Sequence, residues 1–434
     1  MSSSGPLDGV ESLVSPYGLV SRVSRQLPAR GLDAITFWVA QLGTGTSQYQ
    51  GRALKQGMRL RRAGGTDRDD PDRGRLVAIA EGAERYAAGD FLGEPVRFAR
   101  AHELDGAVID LASIPHCSAR ELAADGCPLA PVDPDAPIRW VHGTDLVSGE
   151  PTWIPAVMAC YRLRNPLLAE RFWYRISTGY AVHTDPLEAL VHGVCEVVER
   201  DAVALTWLQR LPLPTVPRQG QSLLLAELLA WCRRHFIETY LFDATTDIGV
   251  PTVYCLQIAE FDTGRRQAVS CGTGRSITTA AENALLEVLR YRLPAPKAPD
   301  PPREYRNFSD ISDGAAFMGR PEMASAFDFL TTDAPRRPAP IRSPLPETAI
   351  CALAAITGTL ARKGMRAIAV DRTTRELAAA GLTAVCVVIP ELQPMSPHPL
   401  AQYRAHPRLY EAPLLMGYRS ADEEELNPWP QPFA

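Results

Sequence analysis

Two glutamates and an arginine within one apolar segment are the residues of this sequence best suited to chemistry. Glu196 and Glu199 lie three positions apart, and Arg200 follows at once. Residues at this spacing project from the same side of a helix, so the two carboxylates would share one face. Burying both without a cation is costly, so the spacing predicts a positively charged ligand or partner.

The same E-x-x-E-R spacing occurs earlier, where Glu81 and Glu84 precede Arg85. One such motif ordinarily indicates a solvent-exposed helix face. For each copy taken alone, that interpretation remains possible. Two copies, each in a segment rich in Ala, Val, Ile and Leu, weaken that interpretation. Four carboxylates converging on one place would suit hard cations and a polyphosphate better than any soft metal.

The elements that must position these groups are predicted to be helices. Thr184 or Asp185 can cap the later helix, Pro186 suits its first turn, and Glu188 stands at capping-box spacing from Asp185. The apolar positions of its buried face are Leu187, Leu190, Val191, Val194, Val197 and Val198. The earlier helix is predicted over residues 76–88, after a cap-plus-proline start at residues 70–71 and a polar loop at 63–66.

A third helix is predicted over residues 279–291, with Thr279 and Glu282 in capping-box positions. A Gly-Thr-Gly step at residues 272–274 joins it to the preceding strand. This step resembles a phosphate loop, but it lacks the third glycine of a dinucleotide fingerprint and the lysine of a Walker A loop. A plain turn is therefore the favoured interpretation.

Shorter apolar runs predict strands, and proline-rich segments at 294–302 and 335–346 predict linkers or surface loops. Residues 304–332 show no firm periodicity, and a helix is predicted at 350–363. The predicted strands are 19–23, 138–141, 151–158, 238–242, 250–260, 267–271, 365–371 and 383–390.

Composition excludes several classes of protein. The chain has 434 residues, 46% of them hydrophobic and 22% charged, which is ordinary for globular domains. A net charge of −5 gives no indication of a positively charged surface that would bind nucleic acid. The nine cysteines include no C-x-x-C pair, which argues against a zinc finger or a disulfide framework and favours buried thiols. Without a signal-peptide layout or a long apolar run, we expect no membrane contact and a cytoplasmic location.

The last residues alternate prolines at Pro428, Pro430 and Pro432, followed by Phe433 and Ala434. Alternate prolines favour an extended, polyproline-II-like tail that loses little entropy when it becomes ordered. A disordered terminus is the alternative, and the acidic residues 422–425 just before the tail would fit it.

Taken together, these features resemble the YcaO superfamily, in particular the azoline-forming cyclodehydratases of ribosomal peptide natural-product pathways. Four motifs of that superfamily have counterparts here. In chain order they are S-x-x-E-x-x-E-R at residues 78–85, S-[NT]-G ending in E-x-x-E-R at 177–200, E-x-x-Q-x-R at 287–292 and P-x-P-x-P at 428–432. The resemblance implies an α/β (α+β) fold whose β-sheets pack with helices that carry an ATP/Mg²⁺ site. It also implies an N-terminal segment (1–62), a catalytic domain (63–426) and an ordered tail (427–434).

The resemblance also assigns roles to individual residues. Mg²⁺ ions would bridge the phosphates of ATP, and their ligands would be Glu81, Glu84, Glu196 and Glu199, with Arg200 contacting phosphate. The further nucleotide-site residues would be Ser15, Thr184, Glu188 and Glu287. The catalytic tail residues would be Pro428, Pro430, Pro432 and Ala434, with the terminal carboxylate orienting or deprotonating the substrate.

Four positions depart from the family pattern. Ala78 stands where the first motif has Ser, and residues 64–66 lack the lysine of a glycine-lysine-glycine loop. In the third helix, Asn283 stands where Arg is common, and Arg290 replaces Gln. None of these changes removes a carboxylate, so the predicted metal–ATP site remains.

The implied activity is ATP-dependent conversion of Cys, Ser or Thr in a ribosomal precursor peptide to thiazolines or oxazolines. The chain is too short for the peptide-binding module of fused relatives, so we expect a separate E1-like or leader-recognition docking protein, and a homodimer. One alternative is an enzyme of the same superfamily that forms thioamides or amidines, and the proline-rich tail argues against it. Another alternative is a non-catalytic scaffold protein. The four departures from the family pattern favour a scaffold, whereas the four glutamates argue against it. Removing the tail is expected to suppress cyclisation and to leave ATP binding largely intact.

Overall fold

The computed structural model describes residues 6–26, 35–43, 62–67, 71–90, 96–217, 220–292, 300–308, 311–332 and 339–433. The fold mixes helices with several β-sheets, as predicted. The strands are β1 (Val20–Gln26), β2 (Thr36–Leu42), β3 (Arg62–Asp67), β4 (Val96–Ala99), β5 (Ala107–Val108), β6 (Ile138–Asp145), β7 (Pro151–Pro155), β8 (Tyr180–His183), β9 (Glu238–Asp243), β10 (Thr252–Ile258), β11 (Gln267–Thr273), β12 (Ile368–Asp371) and β13 (Thr383–Val388).

The α-helices in these residues are α1 (Pro6–Glu11), α2 (Pro71–Ala87), α3 (Ala119–Ala123), α4 (Ala156–Ala159), α5 (Pro186–Leu208), α6 (Leu223–Arg234), α7 (Ile277–Arg292), α8 (Ile311–Met318), α9 (Asp328–Thr331), α10 (Ala349–Arg362), α11 (Arg375–Ala379) and α12 (Arg408–Leu415). Short 3₁₀ helices lie at Ala101–Glu103, Leu168–Glu170, Tyr305–Asn307 and Pro321–Phe327. The segment 304–332, which showed no periodicity, is thus largely helical, in turns too short to repeat an apolar pattern.

Three sheets form the framework. One is antiparallel in the order β1-β2-β3, and another in the order β11-β10-β9. The third has the order β5-β7-β6-β12-β13-β8, with β4 pairing with β6, and its only parallel pair among the described strands is β5 with β7.

The three predicted helices join these sheets. Helix α2 packs on β1, β2 and β3 and also contacts β8, whereas α7 packs on β10 and β11. Helix α5 lies on β8 and β13 and reaches β11. It approaches β13 closely because Gly193 has no side chain, since a Cβ there would lie 2.8 Å from Cγ2 of Val387. All three motif-bearing helices therefore meet where the sheets adjoin.

The buried face of α5 follows the predicted apolar pattern, with Val191, Val194 and Val198 at most 3% exposed. Leu187 is the exception, because it lies in the first turn beyond the edge of the sheet and is 36% exposed. Asp185 caps the helix by accepting a hydrogen bond from the N–H of Leu187 at 2.8 Å. Of the two capping residues left open by the sequence, the structure thus selects Asp185.

Three local predictions were wrong. The strand predicted at residues 151–158 ends at Pro155, and Ala156–Ala159 form α4. The loop predicted at residues 63–66 belongs to β3, because its backbone pairs with β2, Gly65 opposite Trp38. The third helix begins earlier than predicted, because Ser276 caps it by accepting from the N–H of Thr279 at 3.2 Å. Glu282 instead accepts a hydrogen bond from Ser222.

The predicted boundary between residues 62 and 63 falls inside β3, so the N-terminal segment and the following residues share one sheet. The division into 1–62, 63–426 and 427–434 stays a prediction. The nine cysteines are free thiols, five of them buried, and burial raises the pKa of Cys386 to about 12. Across the described ranges, no helix is both long enough and apolar enough to cross a membrane.

Candidate active site

Helix α5 and two facing backbone N–H groups hold the second motif. Glu196 accepts hydrogen bonds from the N–H of Gly179 at 3.0 Å and from Nη2 of Arg200 at 3.2 Å. Glu199 accepts from the N–H of Thr273 at 2.9 Å and pairs with Nη1 of Arg200. The backbone donors therefore fix the orientation of both carboxylates.

Thr273 belongs to the Gly-Thr-Gly step for which a plain turn was the favoured interpretation. A Cβ on Gly272 would lie 2.5 Å from the nitrogen of Ala284, and one on Gly274 would lie 2.8 Å from the nitrogen of Ala280. The glycines therefore let the end of β11 pack directly on the backbone of α7. This close packing presents the N–H of Thr273 to Glu199, a contact that a plain turn does not predict.

The first motif meets the third helix through an arginine. Glu81 pairs with Nη2 of Arg85 at 2.7 Å within α2 and lies 3.5 Å from Nη1 of Arg290 in α7. Arg290 also pairs with Glu287 at 2.8 Å. Arg290, which departs from the family pattern, is thus a cation between Glu81 of α2 and Glu287 of α7.

The two motifs interact electrostatically. Burial raises the pKa of Glu84 well above its usual range, and the negative charges of Glu196 and Glu81 raise it further. Burial likewise raises the pKa of Glu196 to about 7, where Arg200 opposes the effect and Glu199 adds to it. The charge of Glu196 on α5 thus reaches Glu84 on α2 and disfavours its ionisation.

The four motif glutamates fit the Mg²⁺ and polyphosphate that the sequence predicts. Carboxylate oxygens are hard ligands suited to Mg²⁺, and a divalent cation would favour the ionised form of Glu84 and Glu196. Among the described residues, no three His, Cys, Asp or Glu side chains are already grouped as a metal site. The glutamates at positions 81, 196 and 199 instead face Arg85 and Arg200.

The other predicted nucleotide residues lie at different places. Thr184 is exposed at the start of α5. Glu188 does not complete a capping box, because both its oxygens accept from Nη2 of Arg275, at 2.7 and 2.8 Å. Arg275 lies two residues beyond Thr273, so Glu188 lines the same junction between α5 and the strand–helix step as Glu199.

Ser15 lies in the turn before β1, where its carbonyl accepts from the N–H of Gly18 at 2.9 Å. Its described hydrogen bonds belong to that turn and do not join it to the four motif glutamates. Glu287 does approach the site, because Arg290 connects it to Glu81.

The tail is ordered up to the last described residue. Residues 430–433 are buried, whereas Pro428 and Trp429 are exposed. The Trp429 carbonyl accepts from Nε1 of Trp207 at 3.0 Å, and Phe433 forms a parallel β-bridge with Val269. Ala434 lies outside the described residues. An extended tail seated on the protein is therefore correct, and a disordered terminus is wrong.

Sequence reasoning missed the contact that the tail makes with the second motif. The Phe433 ring centroid lies 4.8 Å from Cζ of Arg200, a cation–π distance. It also missed Thr273, Arg275 and Arg290 as partners of the glutamates. The Gly-Thr-Gly step was the available signal for Thr273, and the departure from the family pattern at residue 290 was the signal for Arg290.

Comparison with known proteins bears on this site. A family model described as YcaO cyclodehydratase, ATP- and Mg²⁺-binding, matches residues 68–393. An uncharacterized protein in the tfuA 3′ region of Rhizobium leguminosarum bv. trifolii is 28% identical over 232 residues, 51% of each chain. Another from Methanothermobacter thermautotrophicus is 28% identical over 181 residues, 41% of this chain and 43% of that protein. The chain spans about half the length of these curated relatives.

Solved structures share the fold. A heterocyclase in complex with substrate and cofactor has a TM-score of 0.78 at 23% identity, covering 99% of this chain and 57% of that one. YcaO from Methanopyrus kandleri, bound with AMPPCP and Mg²⁺, has a TM-score of 0.60 at 19% identity and 86% coverage of this chain and 86% of that one. The E. coli microcin synthetase McbBCD complex has a TM-score of 0.57 at 14% identity, covering 85% of this chain and 88% of that one.

Proposed function

The chain belongs to the YcaO family, and from that premise we propose that it is an ATP-dependent, azoline-forming cyclodehydratase. Its substrate would be a ribosomal precursor peptide in which Cys, Ser or Thr becomes a thiazoline or oxazoline. The observation that carries the proposal is the four-glutamate arrangement on α2 and α5. Burial raises the pKa values of Glu84 and Glu196, and neighbouring carboxylates raise each of them further. Such a cluster favours a cation-bearing ligand.

The reaction class explains why a polyphosphate site is needed. The Cys, Ser or Thr side chain attacks the preceding carbonyl carbon, and the carbonyl oxygen must then leave. ATP would supply the phosphoryl group that converts this oxygen into phosphate, with Mg²⁺ neutralising charge on the transferred group. The peptide thereby loses one water for each ring, and ATP becomes ADP and phosphate.

The residues of the chain would contribute orientation and charge. Glu81 and Glu84 on one helix, and Glu196 and Glu199 on another, would hold Mg²⁺ between them. The N–H groups of Gly179 and Thr273 hold the second pair of carboxylates in place before any ligand binds, which lowers the reorganisation needed for catalysis.

Arg200 would donate to phosphate from the same helix. Burial disfavours its charge, but Glu199 and Glu196 outweigh that effect and raise its pKa, so it stays a cation. The further nucleotide residues Ser15, Thr184, Glu188 and Glu287, and the catalytic tail residues Pro428, Pro430, Pro432 and Ala434, remain part of the proposal.

The proposed partners are the precursor peptide and a separate E1-like or leader-recognition protein, with the chain itself as a homodimer. Two structures of similar fold support the first two partners, one a heterocyclase with substrate and the other a synthetase complex. The chain covers 57% of the former.

The test combines the chain, its docking protein, the precursor peptide, ATP and Mg²⁺. We expect peptide-dependent phosphate release, and mass spectrometry should show loss of one water for each modified residue. Glu199→Gln, which keeps an oxygen acceptor for the N–H of Thr273, should abolish both signals. Absence of phosphate release, with the docking protein shown to bind, would exclude an enzyme and favour a scaffold. A thioamide mass shift would instead identify the other reaction.

A further inference from the structure

The tail and the second motif share one guanidinium. We propose that Phe433 is a positioning residue that holds Arg200 toward the nucleotide phosphates, and that tail seating and nucleotide binding therefore strengthen each other. The inference rests on the proposed ATP site. It goes beyond that site because it gives the tail a role in nucleotide affinity as well as in cyclisation.

Arg200 is held at both its edge and its face. Its Nη2 pairs with Glu196 at 3.2 Å and its Nη1 pairs with Glu199, while the Phe433 ring lies 4.8 Å from Cζ. The carboxylates hold two nitrogens, and the guanidinium lies over the ring of Phe433. Together these contacts limit the directions in which a planar guanidinium can present its remaining donors.

The environment strengthens the contact with the ring. The Arg200 side chain is 17% exposed and Phe433 is 4% exposed, so little water separates charge from ring. A cation over an aromatic face gains more when it is desolvated. Without the ring, Arg200 would keep its carboxylate partners but lose the contact on its face.

Phe433 reaches this place because the tail is anchored at Asn427 and at Phe433 itself. The N–H of Asn427 donates to the Leu208 carbonyl at 2.8 Å, at the end of the helix that carries Arg200. At its other end, the Phe433 bridge to Val269 attaches the tail to β11, the strand that ends at Thr273. The tail therefore connects the two elements that orient Glu199 and Arg200.

This arrangement changes the expected effect of the tail. The alternate prolines alone suggested that removing the tail would leave ATP binding largely intact. Because Phe433 contacts a proposed phosphate ligand, its loss should also weaken ATP binding. Thermodynamic linkage then requires nucleotide to stabilise the seated tail by the same factor.

The experiment compares three single substitutions by titrating ATP with Mg²⁺, in the absence of peptide. Phe433→Leu removes the ring but stays apolar, and it should weaken nucleotide binding about two- to thirtyfold, the range of a cation–π contact. Phe433→Trp keeps a ring and should retain the affinity of the native chain. Trp429→Ala removes an aromatic side chain of the same tail that is exposed to solvent, and it should change affinity less than about twofold.

A second measurement separates orientation from folding. Hydrogen exchange of the tail amides should slow when ATP and Mg²⁺ bind to the native chain, and this response should shrink in Phe433→Leu. Equal affinity in Phe433→Leu and the native chain would overturn the inference, as would equal losses in Phe433→Leu and Phe433→Trp. If the native chain itself failed to bind ATP with Mg²⁺, the proposed function would fall first.

Discussion

Replacing Glu196 with glutamine should remove an unusual pH dependence from the stability of the nucleotide-free protein. Burial raises the pKa of this carboxyl to about 7, whereas glutamate in an unfolded chain titrates near about 4.3. Between these values the native state binds the proton more tightly than the unfolded state. The resulting stability is therefore fully present below the unfolded pKa and is lost as the pH rises through about 7.

The magnitude follows from the two pKa values. For one such carboxyl, a change from about pH 7.5 to about pH 5.5 raises the free energy of unfolding by about 2 kcal/mol. Glu84 acts in the same direction, because its pKa is raised by burial and by the charge of Glu196. Glu196→Gln removes the first contribution and reduces the second.

Urea denaturation at both pH values, without nucleotide and with a chelator, measures the effect. Glutamine keeps an oxygen that can accept from the N–H of Gly179, so the variant should fold. Glu150→Gln is a matched control, because Glu150 is an exposed carboxylate and its loss should preserve the stabilisation seen on acidification. The reasoning fails if Glu196→Gln and the native chain gain the same free energy of unfolding between the two pH values.

Three further substitutions test neighbouring contacts. Glu84→Gln should raise the free energy of unfolding at neutral pH, since burial disfavours ionisation of this carboxyl, and should abolish ATP binding; calorimetry that finds a less stable variant would contradict this. Arg290→Gln should lower the Mg²⁺ concentration for half-maximal ATP binding about three- to tenfold, because a cation beside Glu81 competes with the metal; a magnesium titration with an unchanged midpoint would refute it. Asp201→Ala should cost about 3 kcal/mol in urea denaturation, because it leaves the buried Arg408 short of a partner; a cost below about 1 kcal/mol would contradict that account.

The helices were the most predictable part of the fold. The apolar spacing around Glu81 and Glu196 identified α2 and α5 to within a few residues, because both helices bury one broad stripe. The spacing within each motif also placed two carboxylates on one helix face. That α2 and α5 converge came from the family resemblance, and the effect of the Glu196 charge on the pKa of Glu84 is consistent with it.

Partners between distant elements were not predictable from the same patterns. Glycine at residues 64–65 indicates a loop by itself, but pairing with β2 supplies the backbone partners that stabilise a strand. The capping box at Thr279 failed because Ser276 and Ser222 offered competing hydrogen bonds. Such choices depend on which groups the fold brings together, and a local window of sequence does not contain that information.

The pairing of the site glutamates with arginines has a consequence for how the protein comes to its ligand. Arg85, Arg200 and Arg290 act as internal counter-ions, so the chain can be synthesised and folded before any nucleotide arrives. Under the proposed function, Mg²⁺ would take the place of Arg85 and Arg290 beside the carboxylates, while Arg200 would keep its carboxylate partners and donate its remaining N–H groups to phosphate. Under that proposal, little of the binding free energy would be consumed in folding the site, and the remainder would be available for discrimination between ATP and its hydrolysis products.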